Sequence, residues 1–547
     1  MKQIVTILLF VPVLAFSQSK KKKRQAEEKA NAEMVAKLTA HIRFLADDKL
    51  EGRRTGSKGE ELAMQYIIDQ YTQMGLEPKG TNGYMQTFDV NDGKQVEPES
   101  FVKAEARNLL LTEEYFPLAF SASKKISGSS AIALSEAGQP WFKDLKELLE
   151  ENKANPHFDI EEEIKKMAAQ FAAKNATALF IYNSSALTDN VLFNKKDSSK
   201  AVSIPVIYLT KKGIQHYFSD NSATWNIDVN IKISENHRTG KNIIGFINNH
   251  AANTVILGAH YDHLGYGEDK TALDTGHIIH NGADDNASGT AALIELTRML
   301  KKQAPVNNNY LIMHFSGEEL GLFGSKHWLD YPTTTITPNY MINMDMVGRY
   351  DTARKLTIGG YGTSPYWGEM FAAMKNNFSV KIDSSGSGPS DHAAFYRKDM
   401  PVLFFFTGSH SDYHKATDDW DKINYEGERD IVKLIYQIIE QTNMQPKLVF
   451  TKTRDTQGGG ARKFKVSLGV IPDYGYSGTG MRIDGVSPGK LAEKTGLQAG
   501  DVLLQLGDIK FVDVNSYMEA LGKFDKGDKV KLRIKRDKEE KVFDIVF

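Results

Sequence analysis

The chain has no cysteine. Disulfides and thiolate metal sites are thereby excluded, so any metal held here is bound by His, Asp and Glu. It also lacks an excess of charge of either sign: Lys+Arg number 68 against Asp+Glu 69, a formal net charge of −1. That balance speaks against a nucleic-acid-binding surface and against an acidic tail. The basic run Lys20–Arg24 is read as a solvated start to the mature protein. Long apolar runs are scarce too, and no repeat of fixed period runs through the chain. The apolar stretch after Met1-Lys2-Gln3, IVTILLFVPVLAF, is too short to span a bilayer comfortably, and Ala15-Phe16-Ser17 obeys the small-residue rule for cleavage. Residues 1–17 therefore read as a signal peptide. No cysteine follows to accept a lipid. The mature chain is expected to be exported, periplasmic or secreted, with no stable membrane anchor after cleavage and no nucleic-acid partner.

What is present is an ordinary globular composition, 41% hydrophobic and 25% charged over 547 residues. That length is too great for one core. Glu27–Leu45 and Glu60–Met74 have helical periodicity, and Gly75 with Pro78 ends the second helix. Residues 99–235 change texture, with short β-like runs around one charged helical segment at Phe158–Lys174. They read as an insert, because the segments on either side look like parts of one unit. From Asn253 to about Leu448 strands and helices alternate, which argues for a mostly parallel sheet covered on both faces. The glycine-rich stretch 451–463 reads as a linker, and 464–547 is long enough for one small domain.

The chemistry-bearing residues fall at the ends of those strands. Asn253–Leu257 (NTVIL) leads to His260 at a strand's carboxyl end, where open α/β sheets build their sites. Asp262 is placed to hydrogen-bond that imidazole and fix its tautomer. Asp284 and Asp285 lie at a loop-to-helix junction, which favours carboxylates by dipole. Asn309–Phe315 runs into Glu318 and Glu319, adjacent like charges that repel unless a metal takes one and the other handles a proton. Asp345 closes the apolar run Tyr340–Met346, where an unpaired acid is costly. His392 follows Ser390-Asp391, and His414 with Asp418 repeats the histidine–carboxylate pairing. Taken singly, each has an ordinary use as a helix cap, a surface-loop residue or a buried ion pair. Taken together, His260, Asp284, Glu319, Asp345 and His414 are two histidines and three carboxylates suited to a pair of zinc ions bridged by one acid.

The motifs GAHYDHLG, NGADDNASG, SGEELGLFGS, NMDMVG, GPSDH and SDYHKATDD, in that order, resemble the co-catalytic di-zinc aminopeptidase family, the bacterial leucyl aminopeptidase-like zinc exopeptidases. The resemblance covers about Asn31–Val90 and Asn236–Met444. It implies an α/β fold, a three-layer sandwich with a mostly parallel mixed sheet of the phosphorylase/hydrolase-like kind. It also implies two zinc ions held by His260, Glu319, Asp345 and His414 and bridged by Asp284. Glu318 would then be the general base toward a metal-activated water, Asp262 and Asp418 the acids behind the histidines, and Asp285 a helix-cap neighbour. His392 would polarise the scissile carbonyl and stabilise the transition state. With no ligand position substituted, neither an inactive relative nor a single-zinc glutaminyl cyclase of the same fold is expected.

The catalytic domain would comprise residues 25–98 and 236–450. The insert resembles a protease-associated domain. The run Gly485–Leu504 resembles a PDZ domain, which would bind extended C-terminal peptides through the Ser467–Val470 loop. The implied activity is removal of N-terminal residues from peptides. The alternatives are a carboxypeptidase or amidohydrolase on the same scaffold, or a non-catalytic periplasmic peptide-binding protein. On this reading Glu318→Gln keeps the fold and the metal and lowers turnover by orders of magnitude in a peptide-hydrolysis assay. Turnover within a factor of a few of wild type removes Glu318 from that role.

Overall fold

The computed structural model describes residues 11–547 except 154–157, 190, 196, 198, 221–222, 269–270, 275, 304, 352–354, 375–377, 454–465, 473–478, 487–489, 513 and 538. Most of the expected signal peptide and of the 451–463 linker lies outside the described residues. The chain forms two compact units, Met1–Phe88 with Thr239–Arg462, and Asp89–Arg238 with Lys463–Phe547.

The first unit opens with helix α1 (Val11–Leu45). It starts well before the expected Glu27, because no Gly or Pro interrupts the chain between Pro12 and Gly52. No helix among the described residues is long and apolar enough to cross a membrane. Helix α2 (Lys58–Met74) is capped by Ser57, whose side chain accepts from the Glu60 amide, and ends at left-handed Gly75.

The sheet of this unit contains β1 (Glu77–Pro78), β2 (Met85–Val96), β3 (Ile233–Ile247), β4 (Asn253–His260), β5 (Asn308–Phe315), β6 (Pro338–Met344), β7 (Leu356–Gly359), β8 (Val380–Ile382) and β9 (Val402–Phe406). Their order is β1-β3-β5-β4-β6-β9-β7-β8, with β2 also against β3. The central strands β5, β4, β6 and β9 are mutually parallel, while β3 against β5 and β7 against β9 are antiparallel. This is the expected mixed, mostly parallel sheet.

Helices α3 (Gly289–Lys302), α4 (Phe323–Asp330), α5 (Pro365–Ala373), α6 (His392–Tyr396) and α7 (Tyr425–Thr442) complete the unit. The strand pleat sorts side chains between two layers. Val255, Leu257, Ala259, Tyr310 and Ile312 join one core with residues of α1, α2, α3 and α7. Ile256, Leu311, Met313 and Phe315 face the other way, with Trp328 of α4 and Phe395 of α6. Both faces are therefore apolar, which is why these strands read as continuous hydrophobic runs.

Register places the site. His260 pairs with Phe315 across β4 and β5, Gly258 with Asn343 across β4 and β6, and Met344 with Phe405 across β6 and β9. Four parallel strands thus end at one level. At Gly289 a Cβ would meet the Met344 carbonyl oxygen at 2.4 Å, so glycine there lets the start of α3 lie against the end of β6.

The second unit holds an antiparallel sheet (Arg107–Asn108, Phe101–Ala104, Thr224–Ile231, Lys124–Ala131) and a mixed one (Tyr115–Pro117, Val206–Leu209, Leu179–Tyr182, Trp141–Asp144). The charged helix is Ile160–Ala173, capped by Asp159. Residues from Val470 onward form a further β-sheet with short helices at Leu491–Thr495 and Val514–Leu521. In the Ser467–Val470 loop Gly469 takes φ +79°, and the Leu468 carbonyl accepts from the Ala492 amide at 2.7 Å.

Ile312, fully buried in the middle of β5, tests the sheet. Ile312→Ala is expected to cost about 2–5 kcal/mol through the cavity it leaves, read as a lower denaturant midpoint for the first unit.

Candidate metal centre

The strand ends bring five of the side chains together. His260 Nε2 lies 3.3 Å from Asp285 Oδ1 and 3.4 Å from Asp345 Oδ1. His414 Nε2 lies 3.2 Å from Asp285 Oδ2 and 3.3 Å from Glu319 Oε2. Asp285 therefore stands between two sets of donors, one carboxylate oxygen toward each. Two groupings fit a cation by the spacing of their donor atoms: His260, Asp285 and Asp345, and His263, Asp285 and Glu319. Several carboxylates meeting imidazoles in a buried pocket, with no sulfur, form a donor set that suits zinc.

The central acid is not the expected Asp284. Asp284 turns away: its carboxylate accepts from the Gly348 amide at 2.7 Å and Ser288 Oγ at 3.1 Å, and meets His410 Nε2 at 3.1 Å. The turn Ala283–Ser288 that carries both acids is non-helical at Asp285 (φ −105°, ψ 93°) and Asn286 (φ −132°, ψ 44°). These dihedrals decide which acid faces the histidines, and nothing in two adjacent aspartates announces them.

The acids behind the histidines also differ from expectation. His260 Nδ1 is held by the main-chain carbonyl of Asp262 at 3.2 Å, with the Asp262 carboxylate at 3.7 Å. That carboxylate accepts instead from the Glu318 amide at 3.2 Å and Thr55 Oγ1 at 3.0 Å, so it fixes the turn that presents Glu318. His414 Nδ1 donates to the Thr271 carbonyl at 2.9 Å rather than to Asp418. Asp418 Oδ2 accepts from the amides of Asp284 and Asp285, at 2.9 and 3.1 Å. A carboxylate relieves two amides of a tight turn better than it reaches a ring the chain has already satisfied.

His392 is not gathered with the donors. Its ring stacks on Phe404 at 4.2 Å, and burial pulls its pKa down to about 3. A Cβ at Gly388 would come within 2.6 Å of its Nε2, so glycine keeps that edge clear.

Two residues were passed over in the sequence. His263 Nδ1 lies 2.8 Å from Glu319 Oε1, and its signal was present in the tetrad His260-Tyr-Asp-His263. Arg53 is buried and donates to four carbonyls around the site. It left no sequence signal, because its partners are backbone atoms far along the chain.

The field divides the two adjacent glutamates. Burial pushes Glu318 well up; His260 opposes this, while Asp345, Glu319 and Asp391 add to it. Burial and Asp285 act on Glu319 in the same upward sense, yet His414 and His263 outweigh them and hold it down at about 2. Asp285 is likewise held well below the carboxylate range by His260 and His414, against its burial. Neighbouring acids driven apart in this way mark a division of labour, one able to carry a proton and one fixed as an anion.

Residues 242–439 match peptidase family M28, and residues 450–546 match a PDZ domain. The chain is similar to aminopeptidase YwaD of Bacillus subtilis, 29% identical over 274 residues, covering 46% of this chain and 54% of that protein. It is also similar to a probable leucine aminopeptidase of Arthroderma otae, 28% identical over 271 residues, covering 44% of this chain and 71% of the relative. The chain thus spans about half the length of the Bacillus relative. Among solved structures, a zinc aminopeptidase from Bacillus subtilis aligns with TM-score 0.44 and 20% identity over 76% of this chain and 98% of its own.

The geometry of the donor cluster separates the two aspartates experimentally. Asp285→Asn is expected to lower bound zinc by at least one ion per chain, whereas Asp284→Asn keeps the metal and loses stability, about 1–3 kcal/mol. Elemental analysis with thermal unfolding checks both, and the opposite pattern returns the central place to Asp284.

Proposed function

We propose that the protein is an exported, zinc-dependent exopeptidase, an aminopeptidase that removes N-terminal residues from peptides. The observation that carries this reading is the Asp285 carboxylate standing between His260 with Asp345 and His414 with Glu319. These five residues would hold two zinc ions, with Asp285 shared. The ions supply Lewis-acid polarisation of the scissile carbonyl and a water acidic enough to react near neutral pH.

The chain's own groups do the rest. Glu318, as the carboxylate, takes the proton of the attacking water, and the acids around it raise its affinity for that proton. It passes that proton to the leaving amine nitrogen as the carbon–nitrogen bond breaks. Asp262 keeps Glu318 in place through its amide. His263 orients Glu319, so that one glutamate is held as an anion beside the other that moves a proton. His392, neutral because of its burial, is assigned as the donor to the developing oxyanion.

Export rests on the amino-terminal sequence. The domain limits read from the sequence are proposed to stand, with the insert as a protease-associated module. The PDZ domain would take extended C-terminal peptides at the Ser467–Val470 loop.

Short peptides, each with a free and an acetylated N-terminus, decide the reaction when assayed before chelation, after it, and after zinc is restored. Cleavage confined to the free-amine set, lost on chelation and recovered with zinc, is the expected result. Cleavage of the acetylated set moves the activity to a carboxypeptidase or amidohydrolase. Binding without cleavage moves it to a peptide-binding protein.

A further inference from the structure

Arg53 lies in the turn between α1 and α2, about two hundred residues before the metal donors, and only 1% of its surface is exposed. Its Nε donates to the Tyr261 carbonyl at 3.0 Å. Its Nη1 donates to the carbonyls of Leu45 at 2.5 Å and Asn281 at 2.6 Å, and its Nη2 to that of Gly282 at 3.0 Å. Tyr261 follows His260 at the end of β4, and Gly282 opens the turn that presents Asp285. One planar group therefore ties together the two chain segments that supply the central acid and its first histidine.

The backbone around Arg53 reaches the same place. Glu51, Gly52 and Arg53 take φ of 48°, 68° and 46°, three successive left-handed residues, two of which are not glycine. That turn sets the Gly52 carbonyl on the Gly265 amide at 3.0 Å and the Arg53 carbonyl on the His263 amide at 3.2 Å. A Cβ at Gly52 would lie 2.5 Å from the carbonyl oxygens of Gly265 and His280. Side chain and main chain of one short segment thus grip both sides of the donor cluster. The strain is kept where it serves that grip.

We infer that Arg53 is a positioning residue that assembles the metal-donor loops before any metal arrives, an inference that rests on the metal-site reading above. It acts through the carbonyls of residues next to the donors. Its charge serves the same end. Asp285, Asp262, Asp418 and Glu319 all lie in its field, and their attraction opposes a burial that still brings the guanidinium down to about 10. A cation fixed at this point lowers the cost of crowding acids together while the centre is empty. Lysine cannot replace it, because a single ammonium lacks the planar fork that spans four separate carbonyls.

Zinc alone is the probe. The metal-free wild type, Arg53→Lys and Arg53→Met are titrated with Zn2+ against a chelating indicator, and with Co2+ to read the d–d absorption of the site. Tyr340→Phe serves as the control for general destabilisation, since it removes a buried hydroxyl bonded to Thr442 at 2.5 Å elsewhere in the unit. The expected result is a loss of zinc affinity on the order of 10- to 100-fold in both Arg53 variants, with an altered cobalt spectrum. Tyr340→Phe keeps both as in wild type. Wild-type affinity and spectrum in the Arg53 variants overturn the inference, as does an equal loss in Tyr340→Phe.

Hydrogen exchange on the wild type covers the case in which the variants do not fold. The amides of His263, Gly265 and Ala283 are expected to be protected in the metal-free protein nearly as well as in the zinc form. Protection that appears only with zinc overturns pre-assembly. A wild type that takes up no zinc refutes the metal-site reading itself, and the exchange measurement still decides whether the loops are set in advance.

Discussion

Repulsion among carboxylates is the constraint around which the first unit is built. Asp285, Glu319 and Asp345 meet within one pocket, with Glu318 beside them and Asp262 behind. Two unit charges about 4 Å apart repel by roughly 4 kcal/mol at the effective dielectric of a protein edge. No fold gathers such a group without compensation. His260, His263 and His414 supply part of it directly, and Arg53 supplies a charge that persists at neutral pH. The remainder is left for a cation, which is why the arrangement reads as a site and not as a structural network.

Much of this was legible in the sequence, for a reason that can be named. The central strands are buried on both faces, so Val255–Leu257 and Leu311–Met313 read as unbroken apolar runs, and polar residues become visible where such runs stop. His260, Glu319 and Asp345 stand at or just beyond such stops, which register brings to one level. Asp285 was not distinguishable from Asp284, since the choice lies in two backbone dihedrals of a non-helical turn. The partners of Asp262 and Asp418 were misread for a related reason. A histidine–aspartate spacing suggests a side-chain pair, while both carboxylates went to amides that had no other acceptor. Arg53 was invisible because carbonyl oxygens have no sequence identity.

The second unit shows the opposite balance. Its composition announced β structure and one charged helix, and both are present. Its individual residues carry little chemistry that a sequence could reveal. In the PDZ portion the informative feature is geometric: Gly469 in a left-handed conformation, with Leu468 bonded back to Ala492.

The level ending of β4, β5, β6 and β9 has a consequence for how such a protein diversifies. The donors are anchored to the sheet, so the distance along the chain between one donor and the next is free to change. Gly265 and His280 show this: fifteen residues apart in sequence, they are joined by a hydrogen bond from the His280 amide to the Gly265 carbonyl at 2.8 Å, just before the donor turn. Insertions there would change the surroundings of the donor cluster while the donors stay where the sheet put them. Specificity and chemistry are thereby placed under separate mutational control.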